Sequence, residues 1–150
     1  HGFLYLTAVI DWYSRCIVGW SVEDTLDTRM VLDALKKAFK VSVPIILNSD
    51  QGCQFTSNEY IQFLKDNHIL QSMDGKSRWA DNIMIERWFR TFKYEEAYLT
   101  QYNNIKEARK EIKKYIHTYN FIRCHSAISN IPPAKAYYPK MLLDYAEWSA

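Results

Sequence analysis

Two apolar-rich runs of strand length, FLYLTAVI at residues 3–10 and RCIVGWSV at residues 15–22, stand only four residues apart. Runs this short and this continuous suit buried strands. Asp11, Trp12, Tyr13 and Ser14 between them are too few for a crossover, so the two runs must turn back on each other as a hairpin.

Beyond the hairpin the period changes. Val31, Leu32, Leu35, Ala38 and Phe39 recur at helical spacing, with Asp27 or Thr28 as N-cap. Pro44 opens a short apolar run, Ile45 to Leu47, that ends in the turn formers Asn48-Ser49-Asp50-Gln51-Gly52. Thr56-Ser57-Asn58-Glu59 has the capping-box pattern and opens a helix through Tyr60, Phe63 and Leu64. Ile69 to Met73 reads as a short strand and Asp74 to Arg78 as a loop. A helix follows from about Ala80, with Ile85, Trp88, Phe89 and Phe92 on one face. Asn104 with Glu107 forms a second capping box before the long amphipathic series Ile105, Ala108, Ile112, Tyr115, Ile116 and Tyr119. Ile131-Pro132-Pro133 breaks that pattern, and a short last helix closes the chain. A hairpin followed by alternating helices and strands predicts an α/β fold, a mixed sheet flanked by helices.

The 150 residues suit a single domain over 1–150, and 48% apolar content supplies its core. No apolar run approaches the roughly 18 residues of a membrane span. The run from Phe3 lacks a basic stretch before it, so it does not read as a signal peptide. A start at His1 instead of methionine suggests a processed product or a fragment. Cys16, Cys53 and Cys124 are few, odd in number and far apart, which fits a reducing, cytoplasmic setting without a disulfide framework. No CxxC pair is present, which argues against structural zinc.

The net charge of +2 conceals a gradient. Residues 1–75 carry 6 Lys and Arg against 9 Asp and Glu, whereas residues 76–140 carry 13 against 6. A basic second half points to an acidic partner, nucleic acid first. The run Lys106, Arg109, Lys110, Lys113 and Lys114 is equally well explained as the solvated face of its helix.

Two carboxylates stand out. Asp50 follows a buried strand, at the carboxyl end where α/β sheets place their chemistry. The plain alternative is a turn-forming Asp bonded to its own backbone. Glu86 sits at the edge of an apolar helical turn, with Arg90 and Lys93 on the same side of the helix. It is either an ordinary solvated Glu paired with Arg90, or a metal-binding carboxylate flanked by cations that hold a phosphate backbone. Together, two carboxylates on separate rigid elements can clamp Mg²⁺ or Mn²⁺ for phosphodiester chemistry. Lys76 and Arg78, on the loop before the Glu86 helix, are further DNA candidates. His68 and His125 are more simply packed or surface residues than partners for Cys53, and Trp88 is better read as core.

The words around these residues carry a resemblance. Asn48-Ser49-Asp50-Gln51-Gly52-Cys53-Gln54-Phe55 resembles the HSDxGxQ(Y/F) word of DDE transposases and retroviral-type integrases. The stretch from Asp81-Asn82 through Glu86 to Lys93-Tyr94-Glu95 resembles their DNxxxExxxxxxKxE helix. Thirty-five residues separate Asp50 from Glu86, the spacing of the D-x35-E signature. Tyr119-Asn120, Arg123, His125-Ser126-Ala127 and Pro132-Pro133-Ala134 look like the YNxxRxHSAL…(S/P)PA tail. Asp11-Trp12-Tyr13-Ser14-Arg15 looks like the hairpin word. The likeness is nearest to OrfB-type transposases of bacterial insertion sequences.

This resemblance implies an RNase H-like fold, a polynucleotidyl transferase activity dependent on Mg²⁺ or Mn²⁺, DNA as substrate and a homo-oligomer assembled on it. Asp50 and Glu86 would be catalytic metal ligands. Lys76, Arg78, Arg90 and Lys93 would hold DNA phosphates. The family's first catalytic Asp lies on a strand upstream of Gly2, so the chain resembles a core without its first strand. Asp11 matches the hairpin word instead. Two other readings stay open: a nuclease that never joins strands, and a DNA-binding or assembly module with an incomplete site.

Overall fold

The computed structural model describes residues 2–73 and 82–137. They fall into two compact units, one within His1–Val9 and Val18–Gln101, the other within Ile10–Ile17 and Tyr102–Ala150. No helix among the described residues is long and apolar enough to cross a membrane.

The hairpin is present, as β1 (Tyr5–Ile10) paired with β2 (Ile17–Glu23). In the first unit β2 is followed by α1 (Thr28–Phe39), capped by Asp27, whose side chain accepts the Met30 N–H at 3.1 Å. Met30, Val31, Ala34, Leu35 and Ala38 form its buried stripe. The approach of β2 to α1 is close. Ser21 Oγ donates to the Met30 carbonyl at 2.7 Å, and a Cβ on Gly19 would overlap the Ala34 carbonyl oxygen. Glycine is there for contact distance.

A second, parallel pair follows: β3 (Ile46–Ser49) with β4 (Leu70–Met73), Ile46 opposite Leu70 and Ser49 opposite Met73. Parallel strands need a crossover, here α2 (Cys53–Thr56) and α3 (Asn58–Asp66). The α3 cap is Ser57, which accepts from the Tyr60 N–H at 3.3 Å. It is not Thr56, because Cys53–Thr56 is itself a helical turn. Val31, Leu35, Tyr60, Leu64 and Ile69 make the core of this crossover. The described strands thus contain both pairing senses but form two two-stranded sheets, since no described strand bonds to both pairs.

The last helix of the first unit is α4 (Ile83–Phe92), anchored by buried Trp88 and Phe92, which stack at 5.5 Å. It runs into a π-helical turn, Lys93–Ala97, which the apolar spacing does not foretell.

The second unit is built on α5 (Ile105–Phe121). Its capping box closes in both directions: the Glu107 N–H reaches Asn104 Oδ1 at 2.8 Å, and the Asn103 N–H reaches Glu107 Oε2 at 2.9 Å. Ala108, Ile112, Ile116, Tyr119 and Asn120 are buried. A single 3₁₀ turn at Ser126–Ile128 and α6 (Pro133–Tyr137) complete the described chain.

Candidate active site

Asp50 stands one residue past β3 and is exposed. Its Oδ1 accepts the Gly52 N–H at 2.7 Å, an Asx turn that limits the rotation of the carboxylate. Gly52 also makes room for it, because a Cβ there would come within 3.0 Å of Asp50 Oδ1 and of Gln54 Oε1. Beneath it, buried Ser49 donates through Oγ to the Asp50 carbonyl at 3.0 Å. Ser49 in turn hydrogen-bonds the Tyr60 side chain, and burial raises that phenol to about 12. From β4, Gln71 Nε2 donates to the Phe55 carbonyl at 3.0 Å. The loop after β3 is therefore held at both ends.

Glu86 occupies the first turn of α4 and is exposed. It makes no ion pair with Arg90 among the described residues, so the simple i,i+4 pairing is not the arrangement found. Arg90 and Lys93 are both exposed, Arg90 in the last turn of α4 and Lys93 at the start of the π-helical turn. Lys76 and Arg78 lie outside the described residues.

What joins these pieces is a pair of asparagines. Asn48 Nδ2 donates to Asn82 Oδ1 at 3.1 Å, and Asn48 Oδ1 accepts from Ser72 Oγ at 2.8 Å. One side chain thereby links β3, β4 and the N-cap of α4. Asn48 precedes Asp50 by two residues, the strand period, and Asn82 precedes Glu86 by four, one helical turn. The asparagine contact therefore ties the strand that leads into Asp50 to the N-cap of the helix that bears Glu86. Both asparagines stand inside the words that carry the family resemblance, but nothing in those words marks them as partners.

The hairpin and tail words have a different task. Asp11 Oδ2 accepts from both the N–H and the Oγ of Ser14, at 2.8 and 2.6 Å. Ser14 Oγ accepts from the Cys16 N–H at 3.2 Å. Arg15 adopts a left-handed φ of 64°, held by its N–H on the Asp11 carbonyl at 2.8 Å and by Tyr119 Oη donating to its carbonyl at 2.8 Å. Asn120 accepts the Ile17 N–H and donates to the Ile17 carbonyl, both at 2.9 Å. His125 packs edge-on against Tyr119 at 4.9 Å, and Arg123 lies over the Tyr115 ring at 5.9 Å. Burial, then the cations Arg123 and Arg15, lower the His125 pKa. Two words 103 residues apart thus lock one another in the second unit. The Asp11 carboxylate is spent on the turn.

Trp88 is core, 3% exposed. Cys16 is buried, which raises its thiol pKa, while Cys53 and Cys124 are exposed, and all three are free thiols.

Residues 1–78 match the family described as integrase core domain, and residues 67–133 match a second description of the same name. The chain belongs to the integrase core domain family. Among curated relatives it is 37% identical over 136 residues to the transposase for insertion sequence element IS904 of Lactococcus lactis, covering 88% of this chain and 54% of that protein. It is 32% identical over 142 residues to the transposase for IS629 of Shigella sonnei, covering 91% and 48%. The chain spans about half the length of the curated relatives it matches. Solved structures with the same fold include the HTLV-2 integrase catalytic core domain in complex with magnesium, TM-score 0.67 at 21% identity, covering 85% of this chain and 80% of that one. The BIV integrase catalytic core domain gives 0.70 at 17% identity, covering 89% and 85%. The RNase H-like α/β reading of the sequence agrees with these neighbours.

Proposed function

We propose that this chain is the catalytic core of a DNA transposase that cuts and joins phosphodiester bonds through Asp50 and Glu86. The observation that carries the reading is the Asn48–Asn82 hydrogen bond, because it ties the segment bearing one carboxylate to the segment bearing the other. Both are exposed carboxylates on structured elements, an oxygen donor set that suits a hard divalent cation such as Mg²⁺ or Mn²⁺. No group of three or more His, Cys, Asp and Glu side chains gathers among the described residues. Asp50 and Glu86 are the two ligands of this reading, and the family resemblance assigns a third to an upstream strand.

A divalent ion held by this pair would activate a water or DNA 3′-hydroxyl and stabilise the leaving oxygen. The chain's own contribution is positioning. The Gly52 N–H restrains Asp50, Asn82 anchors the helix turn that bears Glu86, and the exposed cations Arg90 and Lys93 bind phosphates on the Glu86 side of α4. Lys76 and Arg78, which precede α4 in the sequence and lie outside the described residues, would add phosphate contacts. Element ends and target DNA are the substrates, and a homo-oligomer on DNA is the working form.

One observation favours a second reading, a DNA-binding or assembly module without catalysis: the Asp50–Gly52 bond alone accounts for an Asp at this position. Glu86→Gln in the transposase carrying this core decides between them. Strand transfer, assayed with supplied 3′-hydroxyl ends and titrated Mn²⁺, is expected to vanish while DNA binding persists. Retained transfer in the variant would end the catalytic assignment. Cleavage without joined products would select the nuclease reading.

A further inference from the structure

We infer that the outer face of α5 is a second DNA-backbone contact surface, separate from the cations on α4. Lys106, Arg109, Lys110, Lys113 and Lys114 are all exposed. Their spacing of i, i+3, i+4, i+7 and i+8 puts them on one stripe, roughly opposite the buried Ala108, Ile112, Ile116 and Tyr119. The helix has only two carboxylates to set against them, and both are engaged: Glu107 in the capping box and Glu111 with Lys114 at 3.1 Å.

The arrangement is costly for a face that merely keeps the helix soluble. A solvated helix gains from Glu and Lys spaced three or four apart and loses from like charges at those spacings. Here Lys106 faces Arg109 and Lys110, Arg109 faces Lys113, and Lys110 faces Lys113 and Lys114. Lys106 and Lys113 have no carboxylate at either spacing. A polyanion offsets this repulsion. From Lys106 to Lys114 the stripe extends about 12 Å along the helix, and duplex DNA presents one charge per roughly 1.7 Å of its axis. The stripe therefore meets several phosphates at once. It lies in the second unit, whereas Arg90 and Lys93 lie in the first. The inference rests on the transposase reading only for the identity of the polyanion as DNA.

The test measures duplex binding by this chain in EDTA across a salt series, which keeps it independent of the metal chemistry. The variant Lys106→Gln, Lys110→Gln, Lys113→Gln is compared with an equal-charge control, Lys36→Gln, Lys40→Gln, Lys65→Gln, drawn from exposed positions of the first unit. Each lost phosphate contact removes about 0.9 from the slope of log K against log salt. The stripe variant is expected to flatten the slope by about 2 to 3 and to bind at least tenfold more weakly at low salt. The control should change the slope by less than about 1. Because repulsion is relieved, thermal stability of the stripe variant should hold or rise, so weaker binding cannot be blamed on unfolding. Equal slopes in variant and control would overturn the inference, as would absence of salt-dependent binding by the parent chain. Neither result touches the Glu86→Gln test, so the two readings fail separately.

Discussion

At the residue scale the informative group is Asn48. An amide has one acceptor and one donor end, and both are used, toward Ser72 and Asn82. A double-substitution cycle isolates the contact. Asn82→Ala removes one part-buried hydrogen bond and should cost about 1 kcal/mol. Asn48→Ala also strands Ser72 and should cost more. Combined, they should lose less than the sum, with a coupling of about 0.5 kcal/mol or above in urea unfolding. Full additivity would show that the bond does not contribute in solution. The two candidate carboxylates stand out in the sequence because their words are local and their spacing is a count along the chain. The asparagine link was not legible, since it joins positions 34 residues apart and neither residue betrays its partner.

At the element scale, local chemistry explains most of what was foreseen. Asp27 and the Asn104–Glu107 box are side chains bonding to backbone within a few residues, so propensity and capping decide them alone. The short turn at Cys53–Thr56 and the π-helical end of α4 have no such local marker. Gly19 is the converse case, a strand residue whose identity depends on a helix. Gly19→Ala would push β2 away from α1 at the Ala34 carbonyl, and overpacking of this kind costs about 1–3 kcal/mol. Urea unfolding is expected to show that loss, and an unchanged midpoint would mean the two elements slide apart freely.

At the scale of the whole molecule, the described chain divides into two units, and the family words divide with it. The carboxylate words belong to the first unit, the hairpin-turn and tail words to the second. The second unit also carries a pH dependence. Burial and the nearby Arg123 and Arg15 depress the His125 pKa below its usual 6.5. The unfolded chain therefore binds the proton more tightly, and stability rises with pH across this window. It is fully present above about pH 6.5 and falls as pH drops through the lowered value. Urea midpoints at pH 7.5 and 5.5 should differ, and His125→Asn should reduce the difference. An undiminished difference in the variant would assign it to other groups.

By itself the sequence determined the hairpin, the main helices and strands, the caps at Asp27 and Asn104 and the identity of the residues worth testing, because each depends on neighbours within a turn or a strand length. Only the tertiary structure decided which of those residues meet. It assigned Asp11 to a turn, clamped that turn with Tyr119 and Asn120, and joined the Asp50 and Glu86 segments through Asn48 and Asn82. Those pairings are made by packing across long stretches of chain, and hydrophobic periodicity carries no record of which polar group will face which.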